Sequence, residues 1–272
     1  MLHSFTDTTV REGAASSARR SASGVQCDHV TLEYPGRPPL RALEDVSLHI
    51  PDGQFVSLIG PSGCGKSTLL RLVAGILLPT SGSIAINGMS PRTAQRQHSF
   101  GFVFQDPVLL PWRTVQGNVK LLGEIVNLSR AESRRRTQQL IDLVGLSGAE
   151  HLRPSQLSGG MRQRVAIARA LAIDPPILLM DEPFAALDEF QREMLNSELL
   201  RIWREQHNSV LFVTHNIEEA VFLSDTVAAM SPRPGRIIEM VPIDLSRPRE
   251  PEIRSSPEFL VLRRHLRELL FR

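Results

Sequence analysis

One short stretch constrains this chain more than any other. Gly60-Pro61-Ser62-Gly63-Cys64-Gly65-Lys66-Ser67-Thr68 fits G-x-x-x-x-G-K-[ST] without a gap. An apolar run, Gln54–Gly60, enters it, and Ser67–Ala74 leaves it with helical periodicity. A strand that turns tightly into a helix lets glycine backbone N–H groups face inward and cradle phosphate oxygens at the positive end of the helix. Lys66 is expected to reach the β- and γ-phosphates of a nucleotide, and Ser67 to place its hydroxyl on Mg²⁺. Cys64 reads as a small filler in the loop. A chain built around this unit is an α/β protein, because the strand needs parallel neighbours and covering helices.

The rest of the sequence agrees. Val25–Tyr34 and Ala42–Ile50 read as strands around a turn at Pro35–Pro39, followed by short strands at 83–87 and Ser99–Gln105. Residues 114–147 read as helical with a solvated charged middle, and 159–172 as an amphipathic helix. Ile177–Met180, 209–213 and 226–230 read as strands that alternate with helices at 189–206 and 216–223. This alternation implies a parallel sheet. Residues 1–24, rich in Ser, Ala, Thr and Arg, read as a flexible tail. Pro257–Arg272 reads as an amphipathic helix, with Phe259, Leu262, Leu266 and Leu269 packing back onto the domain.

Composition narrows the function classes. A formal net charge of +2 argues against a protein that coats nucleic acid. With 42% hydrophobic and 22% charged residues the chain has the makeup of an ordinary folded domain. It contains no apolar stretch long enough to span a bilayer and no apolar signal-peptide core near its start. Cys27 and Cys64 alone make no disulfide framework and fit a reducing compartment.

A second chemical motif is Ile177-Leu-Leu-Met-Asp181-Glu182, a buried strand ending in two acids. Beside a phosphate loop, Asp181 is placed to hold Mg²⁺ and Glu182 to orient and deprotonate an attacking water. Between the two motifs lies Leu157-Ser158-Gly159-Gly160-Met161, opening the helix that continues as Arg162-Gln-Arg-Val-Ala-Ile-Ala-Arg-Ala-Leu171. Ser158 and the following amides make a helix-start anion site.

With these residues the sequence resembles the nucleotide-binding subunits of ATP-binding cassette (ABC) transporters, whose signature Leu-Ser-Gly-Gly-Gln it matches except for Met161. The resemblance covers roughly residues 25–245 and implies a P-loop cassette with a RecA-like parallel-sheet core, an N-terminal antiparallel β subdomain and an inserted helical subdomain at about 106–170. Residues 246–272 would then be a C-terminal extension carrying the amphipathic helix. The resemblance implies ATP and Mg²⁺ as ligands. It also implies that Tyr34 stacks on adenine, that Gln105 senses Mg²⁺ and the γ-phosphate, and that His215 contacts the γ-phosphate. Ala186-Leu187-Asp188 would cross a dimer interface, and Ser158, Gly159 and Gly160 would clamp the γ-phosphate held by a second copy.

Leu109-Leu-Pro-Trp112-Arg-Thr-Val115, His215-Asn-Ile-Glu-Glu-Ala-Val-Phe-Leu-Ser-Asp225 and Ser231-Pro-Arg-Pro-Gly-Arg236 further resemble the nitrate/sulfonate/taurine importer branch. Family members usually have Asp where Asn216 stands. That resemblance implies a homodimer of ATPase subunits at the cytoplasmic face of the membrane, two permeases and an extracytoplasmic solute-binding protein. The solute itself stays open among nitrate, taurine, alkanesulfonates and pyrimidine precursors. The alternative is a non-transport ABC ATPase acting on nucleic acid or ribosomes. The short span between Lys66 and Asp181 leaves no room for a long coiled coil, and the chain carries one cassette, which both disfavour that alternative. The exposed-looking apolar loop at Val108, Leu109, Leu110 and Trp112 is expected to dock a helix of a permease.

Overall fold

Strands β3 (Phe55–Ile59), β6 (Ile177–Asp181) and β7 (Ser209–Val213) are buried at every residue. Their side chains are mostly Val, Ile, Leu and Phe on both faces, the pattern of strands covered by helices on two sides. A computed structural model describes residues 24–271. Apart from Gly24, the tail expected over 1–24 lies outside the described residues, as does Arg272.

The central sheet runs β5 (Phe100–Val103), β6, β7, β3, β8 (Thr226–Met230) and β9 (Ile237–Pro242). All neighbours are parallel except β8 and β9, which pair antiparallel. A second, antiparallel sheet has the order β2 (Leu40–Ile50), β1 (Val25–Tyr34), β4 (Ser81–Ile86). Helix α1 (Lys66–Val73) buries Leu69, Leu70, Leu72 and Val73 in a core between the two sheets, together with Val56, Leu58 and Leu179. The opposite face of the central sheet packs Phe55, Phe184 and Phe212 against Trp203 of α6 (Glu189–Gln206) and residues of α5 (Gly159–Leu171). Phe55 and Trp203 meet edge to face at 5.8 Å, a favoured aromatic geometry.

The 114–147 stretch is two helices, α3 (Val115–Ile125) and α4 (Arg130–Leu143), rather than one. Asn127 takes a left-handed backbone at φ 57°, which ends the first helix. The Ser129 hydroxyl then accepts from the Glu132 amide and starts the second. Strand β9 and the short helix α2 (Pro91–Arg96) were not expected from the sequence. Periodicity is weak in both: β9 is an edge strand with Ile238 and Met240 exposed, and α2 buries only Ala94. Helix α7 (Ile217–Leu223) follows β7, and α8 (Pro257–Leu270) lies against it with Phe259 and Leu266 completely buried. The C-terminal helix therefore packs onto the domain as its apolar stripe implies.

Candidate active site

The phosphate loop forms because β3 ends buried and the chain must reverse within a few residues to start α1. Gly63 and Gly65 take φ of 75° and 111°, values that strain any side chain. At Gly65 a Cβ would also lie 2.7 Å from Leu43 Cδ2 and 3.0 Å from the Ala42 carbonyl oxygen. Cys64 is buried beneath the loop, and burial pushes its thiol pKa up. It fills space, as its place in the sequence suggests.

Lys66 is 4% exposed, and its Nζ donates to the Gly60 and Pro61 carbonyls at 2.9 and 3.2 Å. The ammonium is thereby aimed along the inside of the loop. Ser67 Oγ donates to Asp181 Oδ1 at 2.7 Å. Burial holds the Asp181 carboxyl pKa above its ordinary value, and the Ser67 hydrogen bond offsets this only in part. Glu182, one residue beyond β6, has Oε1 3.9 Å from Lys66 Nζ and Oε2 2.8 Å from His215 Nδ1. Its backbone is left-handed at φ 43°, a conformation that glutamate rarely adopts. Its amide donates to the Val213 carbonyl at 3.0 Å, which fixes the strained turn against β7. The ends of β3, β6 and β7 thus bring a lysine, two carboxylates and a histidine to one edge of the sheet.

Around this group Thr214, buried after β7, donates from Oγ1 to Glu219 Oε2 at 2.5 Å and accepts from the Asn216 amide at 3.0 Å. Asn216 Oδ1 accepts from the amides of Glu218 and Glu219 and caps α7. Asn therefore does the capping work of an Asp at this position.

Tyr34 is half-buried, with its hydroxyl 3.5 Å from Thr68 Oγ1. It lines one cleft with Lys66, Ser67, Glu182 and the exposed Arg233. Ser158 starts α5, its Oγ accepting from the Met161 amide at 3.2 Å. Ser158, Gly160 and Met161 line a different groove with Gln191 and Met194. A Cβ on Gly159 would crowd Leu187, and one on Gly160 would lie 3.2 Å from Gln191 Oε1. Asp188 caps α6, accepting from the Gln191 amide and from Gln191 Nε2 at 2.9 and 2.6 Å. Gln105 is exposed in the segment after β5 and does not line the Lys66 cleft. The expected site is therefore divided: one cleft is lined by Tyr34, the loop and Glu182, with Asp181 and His215 joined to it through Ser67 and Glu182, while Ser158, Gly159, Gly160, Asp188 and Gln105 lie outside it.

The donors fit a nucleotide and its metal. Ser67 and Asp181 are adjacent hard oxygen ligands of the kind Mg²⁺ takes, and Mg²⁺ fills its remaining positions with water and phosphate oxygens. Among the described residues no group of three or more His, Cys, Asp or Glu could hold a metal alone, so this donor set suits an ion that arrives with phosphates. Sequence reasoning assigned no role to Arg233, which donates from Nε and Nη2 to the Gly63 carbonyl at 3.1 and 2.9 Å. The signal was its proline- and glycine-flanked segment, whose contact with the loop spans the whole domain.

The family model described as ABC transporter matches residues 43–185. An uncharacterised ABC transporter ATP-binding protein of Methanocaldococcus jannaschii is 47% identical over 85% of this chain and 85% of its own length. The taurine import ATP-binding protein TauB of Yersinia pseudotuberculosis is 46% identical over 86% of this chain and 92% of its own, and that of Escherichia coli is 41% identical over 91% and 97%. Among solved structures, a dimeric post-hydrolysis ATP-binding cassette bound to ADP and Pi superposes with TM-score 0.72 at 34% identity, covering 82% of this chain and all of that one. The cbiO1 protein of Clostridium perfringens, part of a cbiONQ transporter complex, superposes with TM-score 0.74 at 26% identity, covering 89% and 94%. With a phosphate loop, a paired-acid strand and a helix-start signature in this order, the chain belongs to the ABC transporter family.

Proposed function

We propose that this chain is the ATP-hydrolysing subunit of a solute importer of the nitrate/sulfonate/taurine type. It would work as a homodimer at the cytoplasmic face of the membrane, with two permeases and an extracytoplasmic solute-binding protein. The observation that carries the catalytic part is the Lys66–Glu182–His215 contact at the ends of adjacent strands. The importer part is supported by the taurine import proteins of Yersinia and Escherichia coli among its relatives. We read residues 25–245 as the ATPase domain, with about 106–170 as its helical part and 246–272 as an extension.

In this reading Lys66 holds the β- and γ-phosphates, the loop amides of Ser62 to Thr68 cradle them, and Tyr34 packs on the adenine. Ser67 and Asp181 would hold Mg²⁺, with Gln105 joining when its segment moves toward the cleft. The bound ion would neutralise phosphate charge. Glu182 accepts the proton of the attacking water, and His215, hydrogen-bonded to its Oε2, holds the carboxylate in place and reaches the γ-phosphate. Phosphoryl transfer of this kind depends on positioning and charge neutralisation rather than on a covalent intermediate. The Ser158 helix start and Asp188 of one copy would close over the nucleotide of the other.

The loop after Gln105 supports a permease contact. Val108 and Trp112 are 61% and 69% exposed. The loop is nonetheless held firmly: Arg169 donates to the Pro107 and Val108 carbonyls, and buried Asn118 both accepts from and donates to Leu110. A rigid, exposed apolar surface suits a docked helix. The test is reconstitution of the chain with candidate permeases and a candidate solute-binding protein. Solute uptake that needs ATP and is abolished by Lys66→Ala supports the reading, and uptake indifferent to the chain refutes it.

A further inference from the structure

The segment joining β8 to β9, residues 231–236, lies across the phosphate loop as a strap. The Gly235 amide donates to the Ala42 carbonyl and the Glu44 amide donates to the Gly235 carbonyl, both at 3.0 Å. Arg236 pairs with Glu44 at 2.6 Å. The strap is thus fixed to β2, the strand beside Tyr34, and it presses on the loop: a Cβ on Gly235 would sit 2.1 Å from the Cys64 carbonyl oxygen. Arg233 projects from this strap. Nε and Nη2 share the Gly63 carbonyl, which leaves Nη1 without a hydrogen-bond partner among the described residues. Its side chain lines the same cleft as Lys66, Thr68 and Tyr34. No carboxylate pairs with it among the described residues, whereas the neighbouring Arg236 is neutralised by Glu44.

We propose that Arg233 is a nucleotide-binding residue, whose guanidinium donates to phosphate oxygens of the nucleotide seated on the loop and adds a second cation to Lys66. The inference rests on the ATP-binding reading of this cleft. A guanidinium suits the task because its planar fork can hold the loop carbonyl with one edge and offer charge-assisted hydrogen bonds to phosphate with another. Lysine at the same place could supply charge but not both contacts. The strap also ties the loop to the adenine side of the cleft, so the nucleotide is gripped along its phosphates by elements from opposite ends of the chain.

The test measures equilibrium binding of ATP and of adenosine to the purified full chain, for wild type, Arg233→Ala, Arg233→Lys and Lys66→Ala, across a range of salt. Arg233→Ala is expected to weaken ATP binding about tenfold, leave adenosine binding unchanged and flatten the salt dependence of ATP affinity, because one cation–phosphate contact is lost. Arg233→Lys should recover part of the affinity and most of the salt dependence. Wild-type ATP affinity in Arg233→Ala overturns the proposal. So does a loss that is equal for ATP and adenosine, or one that Arg233→Lys reproduces in full, since each marks the strap as a structural brace only. If wild type and Lys66→Ala bind ATP equally, the ATP-binding reading of the cleft fails and the proposal with it.

Discussion

Replacing Glu182 by Gln separates the chemistry of this site from its architecture. The amide is nearly the same size, so its oxygen can still accept from His215 Nδ1, now 2.8 Å from Glu182 Oε2. The strained turn at φ 43° and its amide bond to Val213 are untouched, since both belong to the backbone. What disappears is the base. Losing a positioned general base costs about 10²–10⁴ in rate, or roughly 3–5 kcal/mol of barrier. The variant also loses a negative charge 3.9 Å from the Lys66 ammonium, which leaves Lys66 freer to hold phosphate, so ATP should bind at least as tightly as in wild type. Steady-state phosphate release, nucleotide affinity and thermal melting measured on one preparation make the assay. The expected outcome is turnover down at least a hundredfold, undiminished ATP affinity and a melting temperature within about 2 °C of wild type, which corresponds to under ~1 kcal/mol. Turnover near wild type in a folded variant refutes the role given to Glu182. A large drop in melting temperature refutes the claim that the strain is held by the backbone alone.

Lys66→Ala should abolish detectable ATP binding with Mg²⁺ present, because the buried ammonium is aimed along the loop by two carbonyls; titration calorimetry showing undiminished affinity contradicts this. Trp112→Ala should leave the ATPase of the isolated chain and its melting temperature near wild type, as the ring is 69% exposed, yet lower permease-stimulated ATPase and uptake; normal activity in the assembled transporter places the docking surface elsewhere. Burial pushes the Cys27 thiol up to about 12 and raises that of Cys64. The native chain should therefore resist iodoacetamide at about pH 8, near the usual cysteine pKa, and label at both cysteines once unfolded. Because the folded Cys27 value lies above the unfolded one, stability should fall as pH rises past the ordinary cysteine value toward 12; rapid labelling of the native protein at Cys27 counts against its burial.

The parts legible in the sequence were those where a short motif dictates a local geometry. The loop from Gly60 to Thr68 needs its glycines where the backbone turns left-handed. The runs of β3, β6 and β7 are almost wholly apolar because those strands are covered on both faces. Helices with strong caps, such as α6 behind Asp188, were also legible. The misses have physical causes. The break between α3 and α4 rests on Asn127 adopting φ 57°, which a charged, weakly periodic stretch does not announce. Strand β9 owes its existence to pairing with β8 rather than to its own pattern. The contact of Arg233 with Gly63 joins residues far apart in the chain, and only the antiparallel return of β9 brings the strap there. The left-handed backbone at Glu182 was equally invisible, because strain is set by what surrounds a residue and not by its identity.

In the proposed dimer, each copy would complete the nucleotide site of the other. The Lys66 cleft combines a lysine, an arginine and the start of α1, which would hold the phosphates from one side. A second helix start, at Ser158, faces a groove formed with α6. The Ser158 hydroxyl is already committed to the Met161 amide, which leaves the first amides of α5 to bind an anion from outside. In the proposed reading a second molecule would offer its helix start to the first one's cleft. A two-fold arrangement satisfies both at once, since the same pair of surfaces is used twice. ATP between them would add phosphate contacts to each side, whereas ADP lacks the γ-phosphate that bridges them. On this reading nucleotide state would set how tightly the two copies close, and the exposed apolar loop after Gln105 would pass that closure to a partner in the membrane.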